Sequence, residues 1–371
     1  MGDREDKSFT VGLLRDLTSA AGVPGFEREA RQVMEKYLAP LSEVSRDRLG
    51  SVIGRKPGKA DRPHIMLAGH LDEVGFMVSL ITDDGFVRFQ TLGGWWDQVL
   101  LAQRVVIKTR QGDVIGVIGS KPPHVLSPED RKKLVEKKDM FIDVGASSKD
   151  EALAMGIRLG DPIVPASEFT LMKNERLVLA KALDNRVGCA LAVEVLRRLQ
   201  GVEHPNTVYG VGTVQEEVGL RGAQTSAHVI EPDVGIALEV SIAGDVPGMK
   251  PEEAQSRLGK GPTVLLYDTT LVPNVNLRDL VIDVAEAEGI PLQFDVMPGG
   301  GTDAGRIQFF GQGVASICIG VPTRYIHSHA GIMHLDDFEA AARLVTALVQ
   351  RLDAETVAAY THLTRPTNDS G

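Results

Sequence analysis

Apolar runs typical of strands alternate with helical patterns along much of this chain, and this alternation restricts the possible folds strongly. Short apolar runs that predict buried strands lie at residues 64–68, 207–214, 234–240, 292–296 and 314–319. Apolar side chains recur at helical spacing at residues 27–41, 185–199, 277–288 and 335–352. Strands that alternate with helices predict an α/β domain built on one sheet.

A β-rich stretch interrupts this alternation. Four β-rich segments separated by turn residues lie at residues 75–81, 85–89, 104–107 and 113–118. Short strands at this spacing predict a small barrel or sandwich. We therefore expect residues 1–73 and 165–371 to form one discontinuous α/β domain, into which residues 74–164 are inserted.

Composition excludes several classes of partner. The chain of 371 residues carries a net charge of −10, so it has no basic excess for binding nucleic acid or an anionic membrane. Its two cysteines predict no disulfide framework and favour a reducing compartment. Nowhere do about 18 uncharged apolar residues run together, which argues against a membrane span. We expect a cytoplasmic protein.

Side chains that bind metals follow the predicted strands or open the helix after them. They are His70, Asp72, Asp184, Glu216, Glu217, Glu239 and His327. In open α/β sheets, the ligand crevice lies beyond the carboxyl ends of the strands. Two histidines and several carboxylates at that edge are what a pair of divalent metals needs to activate water. The pattern therefore predicts a metallohydrolase.

Each of these residues also has an ordinary structural interpretation. In extended geometry the Asp72 carboxylate points the same way as His70 and could orient a metal-bound imidazole, or it could cap a nearby helix. Asp184 precedes a predicted helix and could be only its N-cap. A single histidine such as His327 is more often a core or surface residue, and His329 is a rival ligand.

The adjacent pair Glu216 and Glu217 follows a neutral, half-apolar strand. Neighbouring side chains diverge in extended or turn geometry, so one carboxylate could bind a metal while the other holds the attacking water as a general base. A solvated acidic turn is the alternative interpretation.

Four ordered motifs give the chain a resemblance to a known family. They are Ala68-Gly69-His70-Leu71-Asp72-Glu73-Val74-Gly75, Lys181-Ala182-Leu183-Asp184-Asn185-Arg186, Gln215-Glu216-Glu217-Val218-Gly219 and Arg324-Tyr325-Ile326-His327-Ser328. Together they resemble the M42 family of dinuclear metal aminopeptidases, which includes glutamyl aminopeptidases and tetrahedral TET peptidases. Some of its members carry the name endoglucanase. The resemblance covers nearly the whole chain.

The resemblance implies a fold and an assembly. The fold would be a mixed-sheet, zinc-peptidase-like (phosphorylase/hydrolase-like) catalytic domain with an inserted small β-barrel that serves as a dimerisation or lid domain. The chain would form a homo-oligomer, and the resemblance implies twelve subunits.

The resemblance also assigns a metal site. His70 and Glu239 would bind one metal and Glu217 and His327 the other, with Asp184 bridging the two. The metals would be two divalent ions per subunit, zinc or cobalt.

Catalytic roles follow from the same resemblance. Glu216 would be the general base, and Asp72 would orient His70. A hydroxide bridging the metals would attack the N-terminal bond of peptides that have a free N-terminus.

One ligand position departs from the family pattern. The family usually has Asp where this chain has Glu239, and Glu at the related position tends to accompany carboxypeptidase or deacylase action. A deacylase or carboxypeptidase on the same site is therefore an alternative function. Less favoured alternatives are a metal-free endoglucanase-type glycoside hydrolase, which would leave the histidines unexplained, and a binding or scaffold protein without turnover.

Two further segments are candidates for substrate binding. The glycine-rich loop with Gly300, Gly301 and Thr302 lacks the Lys and Ser/Thr of a P-loop, so close backbone approach to a peptide is the better interpretation. His124 lies in a Pro-Pro loop that resembles one near the active-site entrance and subunit contacts of TET particles. As bare sequence, the Pro-Pro pair is a rigid turn.

Overall fold

The computed structural model describes residues 2–360, with side chains from residue 7 onward. The helices are α1 (Gly2–Ser19), α2 (Arg28–Leu38), α3 (Lys149–Ala154), α4 (Leu183–Arg198), α5 (Arg221–Ile230), α6 (Val275–Ala287), α7 (Ala304–Ile307), α8 (Leu335–Arg351) and α9 (Ala354–Ala358). The strands are β1 (Glu43–Arg46), β2 (Val52–Lys56), β3 (His64–His70), β4 (Gly75–Ile81), β5 (Val87–Leu92), β6 (Arg104–Thr109), β7 (Gly112–Gly119), β8 (Phe141–Asp143), β9 (Pro162–Pro165), β10 (Thr170–Leu171), β11 (Leu177–Ala180), β12 (Thr207–Thr213), β13 (Val234–Ile242), β14 (Thr263–Asp268), β15 (Gln293–Met297), β16 (Ala315–Arg324) and β17 (Gly331–His334).

Within residues 2–360, eleven strands form one mixed sheet. Nine follow the order β1-β2-β12-β3-β13-β16-β17-β11-β10, and β14 pairs with β15 and β16 beside this path. The central strands β12, β3, β13 and β16 run parallel to one another. Every residue of β12 is buried, as the interior strands of a parallel sheet require. The predicted mixed-sheet α/β fold is confirmed.

Helices cover both faces of the sheet. Along β3, Ile65 and Leu67 join a core cluster with apolar residues of α1, α2, α4 and α8. The alternate residues Met66 and Ala68 join a second cluster with α5 and Ile307 of α7. Because side chains alternate across a strand, a strand apolar at every position has to be covered on both sides.

The inserted strands close on themselves as a barrel in the order β4-β5-β8-β7-β6-β9. Its core includes Phe76, Ile107 and Ile142, all buried. Trp95 is buried here too: its ring stacks on that of Phe76 at a centroid distance of 4.8 Å, while the adjacent Trp96 is exposed. Closure removes open sheet edges, and it confirms the small barrel predicted from the β-rich spacing.

Some elements gave no clear signal in the sequence. Helix α5 buries Gly222, Ala223, Ser226, Ala227 and Ile230, and such small side chains produce a weak apolar pattern. None of the helices within residues 2–360 is long and apolar enough to cross a membrane.

Candidate active site

The predicted metal ligands gather where the central strands end. His70 is the last residue of β3 and pairs in register with Thr213, the last residue of β12. Glu239 lies near the end of β13, which runs parallel to β3. His327 follows β16 in a turn where it adopts a left-handed φ of 53°. Parallel pairing therefore brings residues that are far apart in sequence to one edge of the sheet.

Helix α4 lies against the strands at close range, and this contact places Asp184. A Cβ added to Gly188 would lie 2.0 Å from the Leu238 carbonyl oxygen, and one added to Gly69 would lie 2.3 Å from the Gly188 carbonyl carbon. Asn185 Nδ2 donates to the Leu238 carbonyl at 2.8 Å. The Asp184-Asn185 peptide bond is cis. The start of α4 is thus bonded to β13 one residue before Glu239.

The two oxygens of Asp184 face different histidines. Oδ1 lies 3.1 Å from His70 Nε2, and Oδ2 lies 3.3 Å from His327 Nε2. A carboxylate placed between two imidazoles in this way has the geometry expected of a bridging ligand.

The other three acids lie around Asp184 and the two histidines. His70 Nε2 lies 4.0 Å from Glu239 Oε2 and 3.7 Å from Glu216 Oε2. His327 Nε2 lies 3.4 Å from Glu217 Oε1. Two overlapping sets have their candidate ligand atoms all within 4.8 Å of one another: His70 with Asp184 and Glu217, and His70 with Glu216 and Glu239. Glu216 therefore approaches the cluster as closely as the predicted ligands do.

Crowding of buried charge perturbs the carboxyl groups. Burial, with added repulsion from neighbouring carboxylates, raises the pKa of Glu216 and of Glu239 well above the ordinary value. Burial and the Asp184 charge raise the pKa of Glu217 to about 7. Burial opposes ionisation of Asp184 as well, but hydrogen bonds from His327 and His70 lower its pKa. Three acids thus favour a bound proton when no cation balances them.

The pKa values of the two histidines are raised, whereas burial alone lowers the pKa of an imidazole. Burial disfavours their charged form, yet Glu216, Asp184 and Glu239 raise the pKa of His70 well above its usual value. At His327, burial is likewise outweighed by Asp184 and Glu217, which raise the pKa to about 9. Both rings lie in a strongly negative environment.

The donor set fits divalent cations. Glu217 Oε1 and Glu239 Oε1 are buried and have no hydrogen-bond partner within residues 2–360. A buried carboxylate oxygen without a partner is unfavourable, and a cation among these oxygens would satisfy both. Imidazole nitrogens mixed with carboxylates are typical zinc ligands and also suit cobalt.

Asp72 contacts the site in a way that the sequence did not predict. Its carboxylate is fully buried and accepts from the backbone N–H of Glu216 and of Glu217, each at 3.0 Å. His70 Nδ1 donates to the backbone carbonyl of Asp72 at 2.9 Å, whereas the nearer carboxylate oxygen is 3.6 Å away. The backbone carbonyl of Asp72 therefore contacts His70, and its carboxylate holds the segment Gln215-Glu216-Glu217, which we call the acidic turn.

The cluster opens into a cavity of about 760 Å³. Gly300, Gly301 and Thr302 line it, and Thr302 Oγ1 donates to Asp268 at 2.9 Å. His124 is exposed in a 3-10 turn at Pro123–Val125 and is not among the residues that line this cavity.

The rival ligand His329 is placed apart from the cluster. Its ring lies 5.4 Å from that of Trp95, and it belongs to neither candidate metal-binding set among the described residues.

Several buried charged residues behind the site were not predicted from the sequence. Lys181 Nζ lies 2.6 and 2.7 Å from the two carboxylate oxygens of Glu73, and both side chains are buried. The fully buried Arg186 donates to the Leu71 carbonyl at 2.6 Å. Asp303 is also fully buried and accepts from Thr213 Oγ1 at 2.5 Å. The motifs that carry the family resemblance contain three of these residues, Lys181, Glu73 and Arg186, and only that membership could have indicated them from the sequence.

Comparison with known proteins gives a consistent result. A family model described as M42 glutamyl aminopeptidase matches residues 50–344, and one described as AMPT matches residues 10–34. FrvX of Escherichia coli (strain K12), provisionally named an aminopeptidase, is 42% identical over 95% of this chain and 98% of its own length. Glutamyl aminopeptidase of Lactococcus lactis subsp. cremoris is 37% identical over 93% of this chain and 97% of its own.

Solved structures agree over nearly the full length. A TET aminopeptidase from the marine sediment archaeon Thaumarchaeota archaeon SCGC AB-539-E09 has a TM-score of 0.94 and 54% identity, covering 95% of this chain and 100% of its own. The TET1 peptidase of Pyrococcus horikoshii, which can assemble into a tetrahedron or a large octahedral shell, has a TM-score of 0.82 and 31% identity, covering 92% and 100%.

Proposed function

The chain belongs to the M42 family and is an aminopeptidase, and from this premise we propose that it releases N-terminal residues from peptides with the help of two divalent cations. The observation that carries the proposal is the position of Asp184, whose two oxygens lie 3.1 Å from His70 and 3.3 Å from His327.

Five side chains would hold the cations. His70 and Glu239 would bind one, His327 and Glu217 the other, and Asp184 would bind both. When bound, zinc or cobalt ions at this position lower the pKa of water and polarise the scissile carbonyl. The two buried carboxylate oxygens that lack a hydrogen-bond partner among residues 2–360, on Glu217 and Glu239, support this assignment.

Glu216 is the proposed general base. Its carboxylate lines the cavity, and its backbone N–H is fixed by Asp72. Burial raises its pKa in the cation-free cluster, and bound cations would counter that shift and keep the carboxylate ionised, as a base must be. It would accept a proton from the attacking water and deliver it to the departing amine. Because Glu216 also lies 3.7 Å from His70 Nε2, a role as a ligand is the alternative that a variant has to exclude.

The substrate would enter through the cavity. Carboxylates at its inner end would attract the positively charged N-terminus of a peptide, which favours cleavage next to a free amine. Gly300 and Gly301 line the wall with backbone rather than side chain, so an extended peptide could approach closely there. The proposed role of His124 stays a prediction, since that residue does not line this cavity.

Glu239 supports a second candidate. Its longer side chain brings Oε2 to 4.0 Å from His70 Nε2, while Oε1 has no hydrogen-bond partner in the part of the chain that the structure describes. By the family resemblance, Glu at this position tends to accompany deacylase or carboxypeptidase action, so either activity on the same site is the alternative. Peptides with free and with blocked N-termini separate the two: the aminopeptidase cleaves only the free form.

A panel of aminoacyl chromogenic substrates, assayed with chelator and with metals added back, tests the proposal. We expect activity that chelator abolishes and that zinc or cobalt restores. Chelator-resistant cellulase activity would support the metal-free glycoside hydrolase instead, and no turnover under any condition would support a scaffold protein.

Two variants separate the roles within the site. Glu216→Gln should keep its metals and lower kcat by about two to four decades, the usual effect of losing a general base. Asp184→Ala should lose metals, as measured by elemental analysis after dialysis. Normal turnover in Glu216→Gln, or loss of metal from it, would refute the assignment of Glu216 as the base.

Assembly and location remain part of the proposal. We propose that residues 74–164 act as a dimerisation or lid domain and that the chain forms a homo-oligomer, with twelve subunits as the first number to test. The shells formed by the Pyrococcus horikoshii relative support this. Light scattering of the purified protein measures the subunit number. The cytoplasmic location stays a prediction.

A further inference from the structure

Two buried carboxylates hold three consecutive backbone N–H groups of the acidic turn. Gln215 N donates to Glu27 Oε1 at 3.1 Å, and the next two N–H groups donate to Asp72. Gln215 has a left-handed φ of 56°, which residues other than glycine adopt uncommonly. The turn therefore depends on acceptors that lie outside it.

The side chain of Glu27 does not cap the helix that Glu27 precedes, although its backbone carbonyl accepts from Arg31 N at 2.8 Å. Helix α2 begins at Arg28, and the Glu27 side chain makes no capping bond to it. Its Oε1 instead accepts from Gly25 N at 2.7 Å and from Gln215 N. Only 7% of Glu27 is exposed, and burial together with the Asp72 charge raises its pKa to about 7. A carboxyl placed so unfavourably beside another acid indicates a specific use for its oxygen.

We propose that Glu27 is a positioning residue for the reaction: it holds the N–H of Gln215 and thereby sets the direction in which the Glu216 carboxylate enters the cavity. This inference rests on the proposed function, because it takes Glu216 as the base. The proposed ligands other than Glu217 are placed by β3, β13, β16 and α4, and the N–H of Glu217 stays bonded to Asp72. Loss of Glu27 should therefore displace Glu216 without emptying the metal site.

The test compares substitutions that differ in one property. Glu27→Met keeps the approximate volume but removes the acceptor, whereas Glu27→Gln keeps a carbonyl oxygen. Glu27 and Glu29 both line a second cavity, of about 640 Å³, between the barrel and α2. Glu29 pairs instead with Lys108 at 3.0 Å, so Glu29→Ala is the matched control. Steady-state kinetics, metal content and amide hydrogen exchange over residues 214–220 are measured for each.

We expect Glu27→Met to lower kcat by about 10- to 100-fold, the effect of a small misplacement of a catalytic group, with KM and metal content unchanged. The amide of Gln215 should exchange faster. Glu27→Gln should restore most of kcat, and Glu29→Ala should match the wild type. Glu27→Ala carries the same expectation if the Met variant does not fold.

Three results would overturn the inference: kcat of Glu27→Met within about twofold of wild type, loss of metal from that variant, or a Glu27→Gln enzyme as slow as Glu27→Met. If the wild type hydrolyses no peptide, the proposed function fails by itself. Unchanged exchange at Gln215 in the Met variant would then still refute the role of Glu27, and faster exchange would support it.

Discussion

Without divalent cations, the folded protein should become less stable as the pH rises from 6.5 to 8.5. Burial raises the pKa of Glu216 and Glu239 well above the ordinary value. Against the effect of burial, neighbouring carboxylates raise the pKa of His70 well above the usual range and that of His327 to about 9. In this pH window the folded, metal-free cluster therefore retains protons that the unfolded chain has released.

The sign and size of the effect follow from proton linkage. A raised histidine pKa contributes stability that is complete below the unfolded value and is lost as the pH rises through the folded value. A raised carboxyl pKa destabilises the fold progressively as the pH rises above the unfolded value. Each extra proton held by the folded state costs about 1.4 kcal/mol per pH unit, or about 3 kcal/mol across the window. His329 has the opposite sign, because burial lowers its pKa to about 4, but the stability change that it causes falls mainly between pH 4 and 6.5, below this window.

Urea unfolding of chelated protein at the two pH values measures this slope. Glu239→Gln should reduce the slope, because it removes one of the groups that retain a proton. Added zinc or cobalt takes the place of the protons, so the stabilisation by metal should grow over the same window by about 3 kcal/mol per proton displaced. Metal-free protein that is equally stable at both pH values, or more stable at pH 8.5, would refute the electrostatic account of the cluster.

Two further substitutions test the packing behind the site. Lys181→Met leaves the buried carboxylate of Glu73 without its closest partner and should lower the free energy of unfolding by about 3–5 kcal/mol, as measured in urea; a loss below about 1 kcal/mol would contradict the pairing. Gly188→Ala places a Cβ 2.0 Å from the Leu238 carbonyl oxygen and should push α4 away from β13, which elemental analysis would detect as lower metal content. Gly12→Ala is the matched control, since within the described residues nothing beyond its own stretch of helix lies within 4 Å of the added Cβ, and it should be neutral or stabilise the fold by up to about 1 kcal/mol. Full metal content in Gly188→Ala would show that the close contact does not place Asp184.

Resemblance of four motifs identified the family, and the comparisons confirm it. Local patterns were sufficient for the elements with strong periodicity. Helix α2 and strand β3 lie close to the predicted ranges 27–41 and 64–68, because their apolar residues recur at periods that a single segment reveals. Helix α5, which buries small residues, and the short strands at the sheet margins carry too little apolar signal for such a prediction.

The residues of the candidate site likewise fall into those that a local pattern predicts and those that it does not. His70, Glu217 and Glu239 could be singled out because each polar side chain follows an apolar run, and a sequence shows that directly. The contacts of Asp72 and Glu27 with the acidic turn could not, because each depends on where a distant segment lies after the sheet has formed.

Sequence alone determined the class of fold, the barrel insertion and the types of side chain available for metal chemistry, since all three depend on the order and period of residues. The tertiary structure decided which atoms meet. It put Asp184 between the two histidines through the contact of α4 with β3 and β13, and it gave the acidic turn its buried acceptors. Those arrangements come from pairing across more than a hundred residues, and no local pattern encodes distances of that kind.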